Sequence, residues 1–416
     1  MKVHFIGIGG IGVSALAQYY LARGHEVSGS DLVRSEIVDF LERKGIKIVK
    51  KIPKAVDLVI YSPAVPLNQL PRLLNQPREL IKLSYPEALG ELTKKYFTVA
   101  ISGTHGKSTT TAMIALILIK AGFDPTVIVG TRLKEFGNSN FRMGRGKYLV
   151  IEADEWQASF LNYWPKIIVL TNIEREHLDY YKNMKHILKT YKEFISHLPK
   201  NGILIDARKY SLKQKEAKKL RKILKIPGEH NILNALAALA AARALGISDK
   251  VSFKALSEYR GAWRRFEIKK SGKITVISDY GHHPTEIKAT LKAAREKFPK
   301  EKIWCVFQPH QYQRTFYLFD DFVRVFSKAP VDKLIITDIY DVAGRERGDI
   351  KKKVNSEKLI KKINKPWLEY LPKNKIKNYL ERNLKGGEIV IIMGAGDIYK
   401  LADEFSTSPL DRGKQK

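Results

Sequence analysis

The stretch from Phe97 to Lys120, FTVAISGTHGKSTTTAMIALILIK, limits what this chain can fold into more than any other. An apolar strand feeds an apolar helix through a tight turn that contains Gly103 and Gly106, with Lys107, Ser108 and Thr109 opening the helix. A turn of this kind aims several backbone N–H groups at one point, at the positive end of a helix dipole and beside a lysine. That is a phosphate cradle. The full P-loop pattern needs a glycine where this chain has Ile101, so only the shorter form Gly103-Thr104-His105-Gly106-Lys107-Ser108 is present. Read functionally, Lys107 sits against the β- and γ-phosphates of a nucleotide and the Ser108 hydroxyl helps to hold Mg²⁺. An ordinary glycine turn before a helix is the plainer account, but strand, glycines, lysine, hydroxyl and helix fall in the order that the cradle requires.

A chain of 416 residues has room for two or three cores, and the pattern predicts three domains, 1–92, 93–260 and 261–416. The single cysteine, Cys305, lies in the strand-like IWCVF, so no disulfide can form within the chain and a reducing compartment suits it. The opening MKVHFIGIGG lacks the pattern of a secretion signal, and no apolar run approaches the roughly 20 residues that span a bilayer. A cytoplasmic location without membrane insertion is expected. The formal net charge of +31 is spread over helical stretches such as Lys213 to Lys225 and Lys351 to Lys362. Neither interleaves aromatic residues as a single-strand-binding groove does, so a solvated lysine face is favoured over a nucleic-acid site. The tail from Ser406 to Lys416 reads as disordered.

The first thirty residues read strand, glycine turn, helix, strand. Gly7, Gly9 and Gly12 fit G-x-G-x-x-G, with Gly10 and Ile11 between them, and Asp31 closes the second strand where an acid can accept from ribose hydroxyls. Alone, this suggests a nicotinamide-dependent oxidoreductase. The pattern itself specifies only a diphosphate on a helix N-terminus with a sugar nearby, which a UDP-sugar also supplies. A further strand, Val56 to Tyr61, ends in a polar turn at Ser62 that can add contacts.

In the middle third, two strands end in acidic clusters, Glu152-Ala153-Asp154-Glu155 and the run from Thr171 to Asp179 that contains His177. Carboxylates at the C-terminal edge of parallel strands beside a phosphate cradle suit a hard cation, so Glu152 and His177 are expected to converge with Ser108 on Mg²⁺. Gly228-Glu229-His230-Asn231-Ile232-Leu233-Asn234 opens an alanine-rich helix, where Asn231 and Asn234 can either meet an adenine or cap the helix. Beyond it, Arg264 and Arg265 suit phosphate oxygens, or simply make a linker soluble. The C-terminal third returns to alternating strand and helix. Its strand ends carry Asp279, Tyr280 and His282, then His310 and Arg314, a pocket suited to a small zwitterion whose carboxylate Arg314 would hold.

GTHGKSTTT, EADE, TNIEREHLDYY, PGEHNILNA, RRFE, SDYGHHPTEI, FQPHQYQRT and GAGDI, in this order, resemble the Mur ligase family, amide-forming enzymes of peptidoglycan synthesis. The resemblance implies an α/β fold with a Rossmann-like N-terminal domain, a central P-loop ATP-binding domain and a C-terminal Rossmann-like domain. It implies ATP and Mg²⁺ as cofactors, and UDP-N-acetylmuramate and a small amino acid, L-alanine, as partners. The enzyme would be a monomer or homodimer without nucleic acid. Gly7, Gly9, Gly10, Ile11, Gly12, Asp31 and Ser62 would then hold UDP rather than NAD. Asn138 and Asn140 would approach the sugar. The nucleotide would meet Gly103 to Thr109, Asn231, Asn234, Arg264, Arg265 and Asp279, with Lys107, Glu152 and His177 in catalysis. Tyr280, His282, His310 and Arg314 would recognise the amino acid, His282 or His310 accepting the amine proton. A ligase that returns murein tripeptide to the same UDP-sugar shares most of these motifs. Two features depart from the family: Gln311 stands where arginine commonly follows the histidine, and the segment between Ile205 and Gly228 is short.

Overall fold

Three sheets whose strands are mostly parallel organise the chain. The computed structural model describes residues 1–65, 81–271, 273–342 and 348–407. In the first sheet, β1 (Lys2–Ile6), β2 (Glu26–Ser30), β3 (Lys47–Ile48), β4 (Leu58–Tyr61) and β5 (Ile81–Ser84) lie in the order β3-β2-β1-β4-β5, all parallel. The second contains β6 (Phe97–Ser102), β7 (Thr126–Leu133), β8 (Ser139–Arg142), β9 (Tyr148–Ala153), β10 (Ile167–Leu170) and β11 (Ile203–Asp206). Their order is β11-β10-β6-β9-β7-β8, with only β8 antiparallel to its neighbour. The third runs β12-β13-β17-β14-β15-β16, from β12 (Glu267–Ser271), β13 (Ile274–Asp279), β14 (Ile303–Phe307), β15 (Lys333–Ile336), β16 (Leu368–Tyr370) and β17 (Ile389–Met393), with β12 antiparallel.

The three-domain α/β architecture expected from the sequence is present. Its central strands are apolar without alternation because helices cover both faces: Val99, Ala100 and Ile101 of β6 and Ile167, Ile168 and Val169 of β10 have no exposed surface. Most of the strands that pattern reading leaves out are short or polar edges, such as β8 (SNFR) and β12 (EIKKS), whose residues resemble loop sequence because one side has no partner strand; the eight-residue interior strand β7 is missed as well. Between Ile205 and Gly228 the short segment is still folded, as β11 and a helix, Lys215–Ile223, that buries Ala217 and Leu220. At the C-terminus the helix Tyr399–Thr407 continues through Ser406, past the point where disorder was expected, and residues 408–416 lie outside the described ones.

Two compact units result. The first comprises residues 1–175, 180–224 and 233–259 and holds the first two sheets; the second comprises 176–179, 225–232 and 260–416 and holds the third. Within the first unit the helix Ile11–Ala22 packs on β7 and β8, and one apolar core runs from Val3 and Leu16 through Phe141 to Ile168. Among the described residues no helix is long and apolar enough to cross a membrane.

Candidate functional site

The glycine turn lies where the chain leaves β6, between β9 and β10, the place at which a parallel sheet opens a crevice at its carboxyl edge. Both glycines are obligatory there. Gly103 has φ 133° and a Cβ on it would lie 2.1 Å from Thr171 Oγ1; Gly106 has φ 83° and its Cβ would lie 2.4 Å from Asn234 Oδ1. The loop is laced to the end of β10: Thr104 N–H donates to the Asn172 carbonyl at 3.1 Å, His105 N–H to Asn172 Oδ1 at 2.9 Å, and Thr171 Oγ1 to the His105 carbonyl at 2.7 Å. The amides of Thr104 and His105, expected to face phosphate, are thus spent on Asn172. Gly106 caps the helix Lys107–Lys120 without a side-chain hydrogen bond, which leaves the dipole end to act on an anion.

Lys107, Ser108 and Glu152 come together as expected. Lys107 Nζ donates to Glu155 Oε2 at 2.7 Å and to the Gly103 carbonyl at 2.8 Å, with Asp154 Oδ1 at 3.5 Å. Burial alone would lower the Lys107 pKa, but Glu155 and Asp154 reverse this and hold it above its usual value. Ser108 Oγ donates to Glu152 Oε2 at 3.1 Å, and Gly130 N–H donates to Glu152 Oε1 at 2.5 Å. This pairing of a hydroxyl with a carboxylate offers hard oxygen donors, the set that suits Mg²⁺. Glu155, only 2% exposed, is the member of the site that motif reading passed over. The fourth residue of EADE, directly after a strand end, was the available signal.

In the first sheet the glycines have separate reasons. Gly7 has φ 74°, and Gly12 admits the Tyr85 ring, whose Cζ would lie 2.8 Å from an added Cβ. Gly10 caps the first helix, which Ile11 opens. Asp31 is exposed and accepts from Gly9 N–H at 2.8 Å and Val33 N–H at 3.2 Å, so it orders the turn. Ser62 Oγ accepts from Ala64 N–H at 3.2 Å. Asn138 is exposed at φ 58°.

Asn140 requires a correction. It is 4% exposed, and its amide donates to the Ile11 carbonyl and to Ser14 Oγ while accepting from Gln18 Nε2. It pins β8 to the first helix instead of facing a ligand. Asn140→Ala should therefore cost about 1–3 kcal/mol in urea unfolding, because buried partners lose their hydrogen bonds. A ligand-facing Asn140 would instead raise the sugar KM at unchanged stability.

Two further residues in the second unit turn out to be structural. Arg264 is 4% exposed; its guanidinium donates to the carbonyls of Gly394 and Gly396 and lies over the Tyr280 and Tyr399 rings. That places it inside the fold, not on a phosphate. Asp279 accepts from Phe266 N–H, Gly281 N–H and Thr290 Oγ1, and burial pushes its carboxyl up. It clamps a backbone in which Arg264 (φ 57°) and Phe266 (φ 50°) are both left-handed. Arg265 lies over Tyr280, with Glu286 at 3.9 Å. Asn231 donates to the Pro227 carbonyl at 2.6 Å and locks the start of its helix; Asn234 belongs to the first unit, against Gly106.

His282, His310, Tyr280 and Arg314 do gather in the second unit, around a residue that sequence reading did not single out, Glu176. Arg314 Nε donates to Glu176 Oε1 at 2.9 Å, and Arg314 Nη1 donates to the His310 carbonyl at 3.0 Å. Glu176 is 7% exposed. Burial alone would raise its pKa, but Arg314 first, then His177, His283 and His282, hold the carboxyl well below its usual value. So the carboxylate on Arg314 is the protein's own, which corrects the expected substrate clamp. His177, adjacent at φ 53°, donates its N–H to the same Glu176 carboxylate at 3.2 Å.

A glycine turn opening a helix at the end of β6, a second glycine turn on the first sheet and a cluster of histidines on the third are the arrangement of a modular nucleotide-dependent enzyme. Family models described as the Mur ligase family catalytic domain, the Mur ligase middle domain and the Mur ligase glutamate ligase domain match residues 2–97, 101–224 and 264–396. The chain belongs to the Mur ligase family. It is 41% identical, over 97% of its length and 95% of the relative's, to a UDP-N-acetylmuramate–L-alanine ligase of Acetivibrio thermocellus. To the protein of that name from Clostridium acetobutylicum it is 40% identical over 97% of each chain. Among solved structures, the UDP-N-acetylmuramate-alanine ligase of Thermotoga maritima superposes with a TM-score of 0.78 at 27% identity, over 98% of each chain. A murein peptide ligase from Psychrobacter arcticus shares the fold, with a TM-score of 0.72 at 24% identity over the whole of both chains.

Proposed function

We propose that this chain is an ATP-dependent ligase that joins L-alanine to the lactyl carboxylate of UDP-N-acetylmuramate, in the cytoplasm, as a monomer or homodimer. The observation that carries this reading is the Lys107, Ser108 and Glu152 constellation at the central sheet, in a chain similar over nearly its whole length to ligases of that name. Joining a carboxylate to an amine in water is uphill, and a carboxylate is a poor electrophile. Transfer of the γ-phosphoryl group of ATP to the lactyl carboxylate answers both problems by making an acyl phosphate. Lys107 and the first-turn amides of its helix face the charge that builds on the transferring oxygens. To do so Lys107 exchanges its contact with Glu155 for phosphate. Ser108 and Glu152 are the residues here that would hold Mg²⁺, which would supply neutralisation of phosphate charge when bound. The amine then displaces phosphate to form the amide.

We assign residues 1–92 to the UDP-sugar, 93–260 to ATP and 261–416 to the amino acid. The test is phosphate release from ATP in the presence of UDP-N-acetylmuramate, screened over single amino acids and over murein tripeptide. Release that depends on L-alanine supports the reading. Dependence on the tripeptide alone transfers it to the recycling ligase, for which Gln311 is the motivating departure. Oxidation of NADH on adding a substrate, without ATP turnover, would revive the oxidoreductase suggested by Gly7, Gly9 and Gly12.

A further inference from the structure

We infer that His282 takes the proton from the incoming amine and that His310 is held as a hydrogen-bond donor, a division of labour fixed by which ring nitrogen of each already carries hydrogen. The inference rests on the ligase reading and deepens it. Arg314 Nη1 lies 3.0 Å from His310 Nδ1. A guanidinium can only donate, so Nδ1 accepts and the proton of neutral His310 sits on Nε2. No lone pair is left on that ring to act as a base. The arrangement is held from both sides: Glu176 fixes the guanidinium through Nε, and the His310 ring stacks on Tyr340 at 5.5 Å with 8° between the planes.

His282 is wired in the opposite sense. Its Nδ1 faces the Tyr280 carbonyl at 3.1 Å and the Glu286 carboxylate at 3.4 Å, and both can only accept. The proton is therefore on Nδ1 and the lone pair on Nε2, to which nothing is hydrogen-bonded among the described residues. Glu286 is itself immobilised, its Oε2 accepting from the N–H groups of His282 at 3.1 Å and His283 at 3.3 Å. An imidazole oriented through one nitrogen by fixed acceptors, with the other nitrogen bare, is the arrangement that general bases share. The charged groups facing His282 are Glu286, Arg314 and Glu176, with the Tyr280 and His310 rings packed beside it. Burial pushes its pKa down to about 4, so the ring is neutral and available through the working range.

The amino acid enters as the free amine. As its nitrogen bonds to the acyl carbon, the bond from that carbon to the phosphate oxygen breaks and inorganic phosphate leaves with the electron pair. The nitrogen becomes strongly acidic as the bond forms, and its surplus proton passes to His282 Nε2 and then to solvent. Weak basicity suffices for such a transfer.

His282→Asn keeps an N–H for the Tyr280 carbonyl and removes the lone pair; His310→Gln keeps an N–H near the place of Nε2. With UDP-N-acetylmuramate, ATP and L-alanine, His282→Asn should lose about a hundredfold or more in kcat, the usual worth of a positioned base. With hydroxylamine in place of L-alanine, trapping the acyl phosphate as a hydroxamate, it should lose roughly tenfold or less, since the electron-withdrawing oxygen makes the attached nitrogen acidic enough to give its surplus proton to water without a positioned base. His310→Gln should raise the KM for L-alanine and change kcat far less. The inference is overturned if the kcat loss falls on His310→Gln instead, or if His282→Asn loses hydroxamate formation as steeply as amide formation. Nitrogen-15 NMR of histidine-labelled protein reads the tautomers directly: hydrogen on Nδ1 of His282 and on Nε2 of His310 is expected, and the reverse pattern sinks the assignment whatever the chemistry. Failure of the wild type to form any hydroxamate would strike the ligase reading itself.

Discussion

In Lys107→Ala, phosphate release from ATP falls by about 10³-fold or more, while affinity for the UDP-sugar stays within a few fold. The first effect follows from removing a fixed cation from the oxygens on which charge accumulates during phosphoryl transfer. The second follows from the proposal that the UDP-sugar is held by the glycine turn of the first sheet, whereas Lys107 opens the helix after β6 of the second. The same substitution has a cost unrelated to catalysis. Lys107 is the cation to which the buried Glu155 carboxylate is hydrogen-bonded, and removing one partner of a buried pair typically costs about 3–5 kcal/mol. Loss of activity through misfolding must therefore be separated from loss of chemistry. Lys107→Met with Glu155→Gln does this, because the neutral pair no longer strands a charge: it should recover most of the thermal stability and none of the turnover. Calorimetry and a phosphate-release assay on both variants check the two halves, and near-wild-type turnover in either variant removes Lys107 from the mechanism.

What pattern reading could and could not reach is clearest at particular residues. Strands buried on both faces, β1, β6, β10, β14 and β17, are short apolar runs between turn residues, and turns that need φ above zero must carry glycine, so Gly103 and Gly106 mark themselves. Ser108 and Glu152 follow from the geometry of strand ends beside such a turn. Burial does not follow. Arg264, Asp279 and Asn140 are polar residues at strand ends or in loops, and composition treats them like ligand contacts; only the structure shows their donors and acceptors consumed by backbone carbonyls, backbone amides and a neighbouring helix. Glu155 and Glu176 were hidden for the opposite reason. Each is one acid within an acidic run, and nothing local tells which carboxylate meets a lysine or an arginine distant in the chain.

The pairing of Glu176 with Arg314 leads to the second large effect. Arg314→Met leaves the Glu176 carboxylate buried against three histidines without its principal cation, and should destabilise the second unit by about 3–5 kcal/mol. Adding Glu176→Gln should return much of that, since a neutral amide beside methionine carries no uncompensated charge. The pH dependence has a definite sign. The folded carboxyl titrates well below the ordinary value of 4.5, so the pair's contribution is fully present above that value and is lost as pH falls through the lower, folded one. The stability gap between wild type and Glu176→Gln should close as the pH falls below about 4.5 and the carboxylate takes up its proton. Urea unfolding with Trp156 and Trp164 replaced by phenylalanine leaves Trp263, Trp304 and Trp367, all in the second unit, as reporters. A gap that widens in acid, or an Arg314→Met variant no less stable than the double variant, would show that the guanidinium does not hold this carboxylate in its charged form.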